Sequence, residues 1–107
     1  AKENKAKAEY ILSTGTIVLN VSNDIKDFYV EPSGIDTVSL SNLPTNNESK
    51  VINMHYLSTD INDDLTLPVG WELYGTLEAG KTNLLTINVA DVPTLGTKIS
   101  VFINPAN

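Results

Sequence analysis

Apolar and polar residues alternate along most of this chain. Ile17, Leu19 and Val21 alternate with Thr16, Val18, Asn20 and Ser22. A period of two places one set on a buried face and the other outward, so the run predicts a half-buried strand. The same reading sets Phe28 and Val30 against Tyr29, and Val38 and Leu40 against Thr37, Ser39 and Ser41. It sets Ile52, Met54 and Tyr56 against Val51, Asn53, His55 and Leu57, and Ile99, Val101 and Ile103 against Ser100 and Phe102.

The stretch Leu67–Val89 predicts two strands joined by a Gly-containing turn, with Trp71 and Leu73 sharing a face of the first and Leu85, Ile87 and Val89 a face of the second. Trp71 is the only tryptophan, and a lone indole in a small β domain is expected to anchor the core. Turn chemistry punctuates the runs: Thr14-Gly15 as a bend or hinge, Asn23-Asp24, Glu31–Gly34, Pro44–Ser49 and Pro93–Gly96. Ser58–Thr66 reads as an acidic loop. About eight short strands at spacings near ten residues, without an amphipathic helical run, predict an all-β fold. The expected form is a single antiparallel β-sandwich, immunoglobulin-like or jelly-roll. No internal repeat shows in the sequence.

Composition narrows the function classes. The 107 residues make one domain, with residues 1–14 read as an N-terminal arm and the start of a strand, and 15–107 as the sandwich. All seven basic residues are lysines and the net charge is −6. Without arginine or a basic patch, nucleic acid and anionic membranes are poor partners. No apolar run is long enough to insert in a bilayer. There is no cysteine, which removes disulfides, thiolate catalysis and zinc–cysteine sites. A start at Ala1 fits a processed, mature chain or a trimmed one.

Two resemblances follow from particular residues. Val30, Pro32, Gly34, Leu67, Pro68, Gly70, Trp71, Leu77 and Gly80 fall in an order that resembles the CARDB-type immunoglobulin-like modules of secreted prokaryotic proteins. These positions are turn and core residues, so the likeness implies a fold. The runs STGTIVLNV and VSLSNLP resemble the TasA/camelysin family and the archaeal bundling pilins. That resemblance implies a secreted sandwich whose chains polymerise by donating an N-terminal strand. Tyr10, Ile11, Leu12, Ile17, Leu19 and Val21 would then form the donated strand, hinged at Thr14-Gly15. Independently of the family, an arm leading into an apolar strand can pair with an open sheet edge, and a contact that does not close makes filaments. Pairing of the same strand within its own chain is the alternative.

Other candidate sites are few. Asp60, Asn62 and Asp64 have the alternate spacing of a calcium loop, but Leu65 and Trp71 stand where an EF-hand needs glycine and a bidentate glutamate. A structural calcium is one reading of this loop and a solvated acidic loop the other; no other cofactor is implied. His55 is the only histidine and no nucleophile elbow, phosphate loop or zinc-protease motif occurs, so no enzyme is expected. Asn20 and Asn47 begin glycosylation sequons. The expected function is therefore a structural subunit of an extracellular filament or pilus, a homopolymer assembled through its N-terminal strand. The alternative is a carbohydrate-binding or spacer module of a secreted protein, with glycans as partners of its tyrosines.

Overall fold

A computed structural model of the chain describes residues 7–21 and 25–105. The described residues contain no helix and nine strands: β1 Lys7–Leu12, β2 Thr16–Asn20, β3 Ile25–Glu31, β4 Ile35–Ser41, β5 Ser49–Leu57, β6 Asp64–Thr66, β7 Glu72–Tyr74, β8 Thr82–Val92 and β9 Gly96–Pro105. They form a six-stranded sheet, in the order β1-β3-β5-β8-β9-β7, and a three-stranded sheet, β2-β4-β6.

The expected antiparallel pairing is corrected by the strand directions. Among the described residues only β5 with β8 and β8 with β9 are antiparallel. The pairs β1–β3, β3–β5, β2–β4, β4–β6 and β7–β9 are parallel. The first six strands thus make successive coils, each passing from the large sheet through a corner to the small sheet. Leu12 and Thr16 flank the first corner, and their register partners Glu31 and Thr37 flank the second. In the third coil Tyr56 is in register with Val30 and Thr66 with Thr37. The third corner is longer than the first two, and the stretches that return to the large sheet differ in length as well, so the repeat leaves no fixed period in the sequence.

Inward residues of both sheets form one hydrophobic cluster. Ile17, Leu19 and Val38 come from the small sheet; Phe28, Val30, Ile52, Met54, Tyr56, Leu85, Ile87, Val89, Val101 and Ile103 come from the large one. Each of these lies on the face that the alternation predicts. Trp71 is the exception to the expected core: it is only partly buried against this cluster, and Tyr56 is the largest fully buried side chain. The strand expected around Trp71 shrinks to Glu72–Tyr74 and pairs with β9 rather than β8. It stops at Gly75, where φ is +96° and a β-carbon would lie 2.3 Å from the Ile103 carbonyl oxygen.

Two further boundaries differ. Lys7–Glu9 belong to β1 rather than to a frayed arm; residues 1–6 lie outside the described residues, as does the expected Asn23-Asp24 turn. The acidic stretch Ser58–Thr66 ends in β6, held because Asp64 N–H donates to the Gly34 carbonyl at 2.8 Å and extends the corner pairing.

Candidate functional site

Among the described residues, the coil order leaves one end open. β1 and β2 are the terminal strands of the two sheets, and they are consecutive in the chain, joined by the Ser13–Gly15 corner. Among the described residues no strand lies beyond either. An unpaired strand edge presents backbone donors and acceptors in extended order, and proteins usually blunt such edges with charge, proline or short strands. β6 and β7, the terminal strands at the opposite end, follow that rule: each has three residues and includes an acidic one. β2, TIVLN, has five residues with no charge and no proline. β1 has six, with its two charges in the first half and Tyr10, Ile11 and Leu12 in the second. Tyr10, Leu12 and Val18 on these two strands are 59%, 65% and 52% exposed.

A buried polar cluster fixes this first coil to the others. Asp36 is fully buried. Its Oδ1 accepts from the Ser13 hydroxyl of the first corner and, at 2.9 Å, from the Ser33 hydroxyl of the second. Its Oδ2 accepts from the Tyr56 hydroxyl at 2.7 Å and from Ser33 N–H at 3.3 Å. The Tyr56 oxygen also lies 2.9 Å from the carbonyl of Asp64, in the third coil. One carboxylate therefore bonds to side chains of all three coils. Backbone pairs run alongside it: Ser13 N–H to Glu31 O, and Thr37 N–H to Gly15 O, both at 3.0 Å. Gly15, at φ +111°, takes the corner conformation that the Thr14-Gly15 bend predicted, and its N–H donates to the Ser13 hydroxyl at 3.1 Å.

Hydroxyls and one backbone amide, rather than a cation, carry the charge of Asp36. Burial pushes the Asp36 carboxyl up, while bonds from Ser13, Tyr56 and Ser33 pull it down and prevail, leaving it below the ordinary carboxylate value. Burial first, and then the bond to Asp36, raise the Tyr56 phenol well above its usual range. Such a set holds backbone in place. It contains no group poised to give or take a proton near neutrality.

Comparison of the chain with family models, with curated proteins and with solved structures gives no match. Its function must be read from its own residues.

The strand residues singled out by sequence lie in this open coil and are paired with the next coil of the same chain. Tyr10, Ile11 and Leu12 are in register with Tyr29, Val30 and Glu31 of β3. Ile17 and Leu19 are in register with Val38 and Leu40 of β4, and Val21 N–H bonds to Ser41 O at 3.0 Å. Ile17, Leu19 and Val21 are fully buried.

The acidic loop with candidate calcium ligands Asp60, Asn62 and Asp64 folds on itself. Asp60 Oδ1 accepts from Asn62 N–H at 2.8 Å, and Asp64 Oδ1 from Leu65 N–H at 2.9 Å. Asp63 Oδ2 accepts from the Ser58 hydroxyl at 2.9 Å and from Thr59 and Asp60 N–H at 3.2 and 3.1 Å. Among the described residues no group of three His, Cys, Asp or Glu side chains is placed to hold a metal ion. The geometry gives a set of Asx-type turns.

His55 lies on the outer face of the large sheet, its Nε2 3.1 Å from Asp27 Oδ1 and its ring stacked on Tyr29 at 4.3 Å. Tyr74 and Phe102 stack likewise at 4.9 Å. Both pairs sit on parallel strands in register, which puts like positions side by side. Asn47 is exposed in a turn at φ +64°, and Asn20 is partly buried and accepts from Asn42 at 3.0 Å. Among the described residues no helix is long and apolar enough to cross a membrane.

Motif reading misses Asp36 and Asn83, yet the sequence carries their signal. Asp36 has the inward parity of Val38 and Leu40, and Asn83 that of Leu85, Ile87 and Val89. Buried Asn83 bonds to Glu78 N–H and to the carbonyls of Glu78 and Lys81, at 2.9, 2.9 and 2.8 Å. A polar residue on the apolar parity of a strand needs buried partners, and so marks a structural network.

Proposed function

We propose that this chain is a structural, non-enzymatic β-sandwich module of a secreted or surface protein, and that it joins a neighbour by β-strand pairing at its open coil. One observation carries the reading: β1 and β2 end both sheets on the same side, and neither is cut short as β6 and β7 are. Strand addition at such an edge satisfies backbone groups without new side-chain chemistry.

Addition is favoured over donation of β1 and β2. Donation requires breaking the ladders to β3 and β4 and emptying Ile17, Leu19 and Val21 from the core. Removing several large buried side chains costs about 2–5 kcal/mol each. Addition leaves all of this in place. The carbohydrate reading gains no support from the aromatics, because each ring of the two stacked pairs already gives one face to its partner.

The test is negative-stain electron microscopy and sedimentation of the chain beside Val18→Lys. Concentration-dependent assembly, weakened by the edge lysine with the circular dichroism unchanged, supports the proposal. A chain that stays monomeric into the millimolar range overturns it.

A further inference from the structure

We infer that the open coil pairs with the same coil of a second copy about a two-fold axis, so that assembly closes as a dimer instead of running on as a filament. This rests on the strand-pairing function proposed above and specifies its partner and symmetry.

The first argument is the match of edge lengths. β1 and β2 offer six and five residues, and the opposite edges β6 and β7 offer three each. Head-to-tail pairing would leave backbone groups of the longer strands facing nothing, each at a cost of about 1–3 kcal/mol if dry. Pairing like with like matches the strands in length.

The second argument is shape. At the open end the two terminal strands belong to one coil and finish the sheets together. At the other end the large sheet continues past β5 through β8, β9 and β7, while the small sheet stops at β6. A flush end cannot meet that staggered one in both sheets, but it can meet its own copy. Two-fold symmetry makes both new pairs antiparallel, β1 with β1 and β2 with β2, and both sheets become continuous.

The third argument is what faces the axis. Val18 is the middle residue of an uncharged β2, and it is half exposed on the outer face. Antiparallel self-pairing sets it beside its symmetry mate as an apolar cross-strand pair. Leu12 extends the apolar contact on the β1 side, while the Tyr10 hydroxyl donates to Glu31 of the neighbouring β3.

Area is sufficient for a modest affinity. A six-residue strand is about 20 Å long. Across two sheets about 10 Å apart together with their side-chain layers, this gives an end face of roughly 500 Å² per partner, about 1,000 Å² in all. That is the lower bound for a specific interface.

The experiment is sedimentation equilibrium of the full chain from micromolar to millimolar concentration, beside Val18→Lys and a control, Leu73→Lys on β7. A single monomer–dimer equilibrium is expected, weakened about tenfold or more by Val18→Lys and unchanged by Leu73→Lys. An open series of oligomers that Val18→Lys abolishes would overturn the two-fold axis while leaving strand pairing in place. Monomer throughout, or a dimer that only Leu73→Lys breaks, would overturn both.

Discussion

The hydroxyl of Tyr56 in β5 donates to Oδ2 of Asp36 in β4 across 2.7 Å, fully inside the protein and between the two sheets. This bond and those of Ser13 and Ser33 convert a buried charge, which alone would oppose folding, into a clamp on three corners.

Removing one partner is therefore expected to cost more than the bond itself. Tyr56→Phe leaves Asp36 short of a donor and should lower stability by about 1.5–3 kcal/mol in urea unfolding. Asp36→Ala leaves the Ser13, Ser33 and Tyr56 hydroxyls without their acceptor, and should cost about 3 kcal/mol or more. Losses well under a kilocalorie in both variants would show that the clamp does not stabilise the fold.

The same pair sets a pH dependence with two limbs. Asp36 is depressed in the folded protein, so its contribution is complete above the ordinary aspartate value, about 4, and is lost as pH falls toward the folded value. Tyr56 is raised, so its contribution is complete below about pH 10 and is lost as pH rises beyond that. Melting temperatures should fall at both extremes. Asp36→Asn should flatten the acid limb, and Tyr56→Phe the alkaline one.

Gly75→Ala tests a close approach. The methyl group would meet the Ile103 carbonyl in a left-handed backbone, so β7 must leave β9 or the chain must distort. A loss of about 2–4 kcal/mol is expected. Tryptophan fluorescence should report it early, since Trp71 adjoins β7.

Thr94 in the β8–β9 turn holds φ at +70°, a region that β-branched residues avoid. Thr94→Asn should stabilise the protein by about 0.5–1 kcal/mol without altering its assembly. An unchanged or lowered urea midpoint would show that the turn stores no strain.

Much of the core is legible in the sequence alone. Alternation places Ile17, Leu19, Phe28, Val30, Ile52, Met54, Tyr56, Leu85, Ile87, Val89 and Val101 inward, because a period of two follows from strand geometry. Gly15 and Gly34 mark two corners for a similarly local reason, a backbone that only glycine takes freely. What the alternation cannot say is which strands pair, or in which direction. A half-buried strand has the same pattern whether its neighbour runs with it or against it, so the parallel coils are invisible in it and antiparallel pairing is the natural expectation. Trp71 has the size of a core centre, yet the short β7 leaves it at the margin. Asp36 and Ser13 lie far apart in sequence, and only stacking the corners brings the hydroxyl to the carboxylate. The open end is likewise a property of strand order. Sequence decided which face of each core-forming strand is buried; the tertiary structure decided which edges are left to pair, because edges exist only once neighbours are assigned.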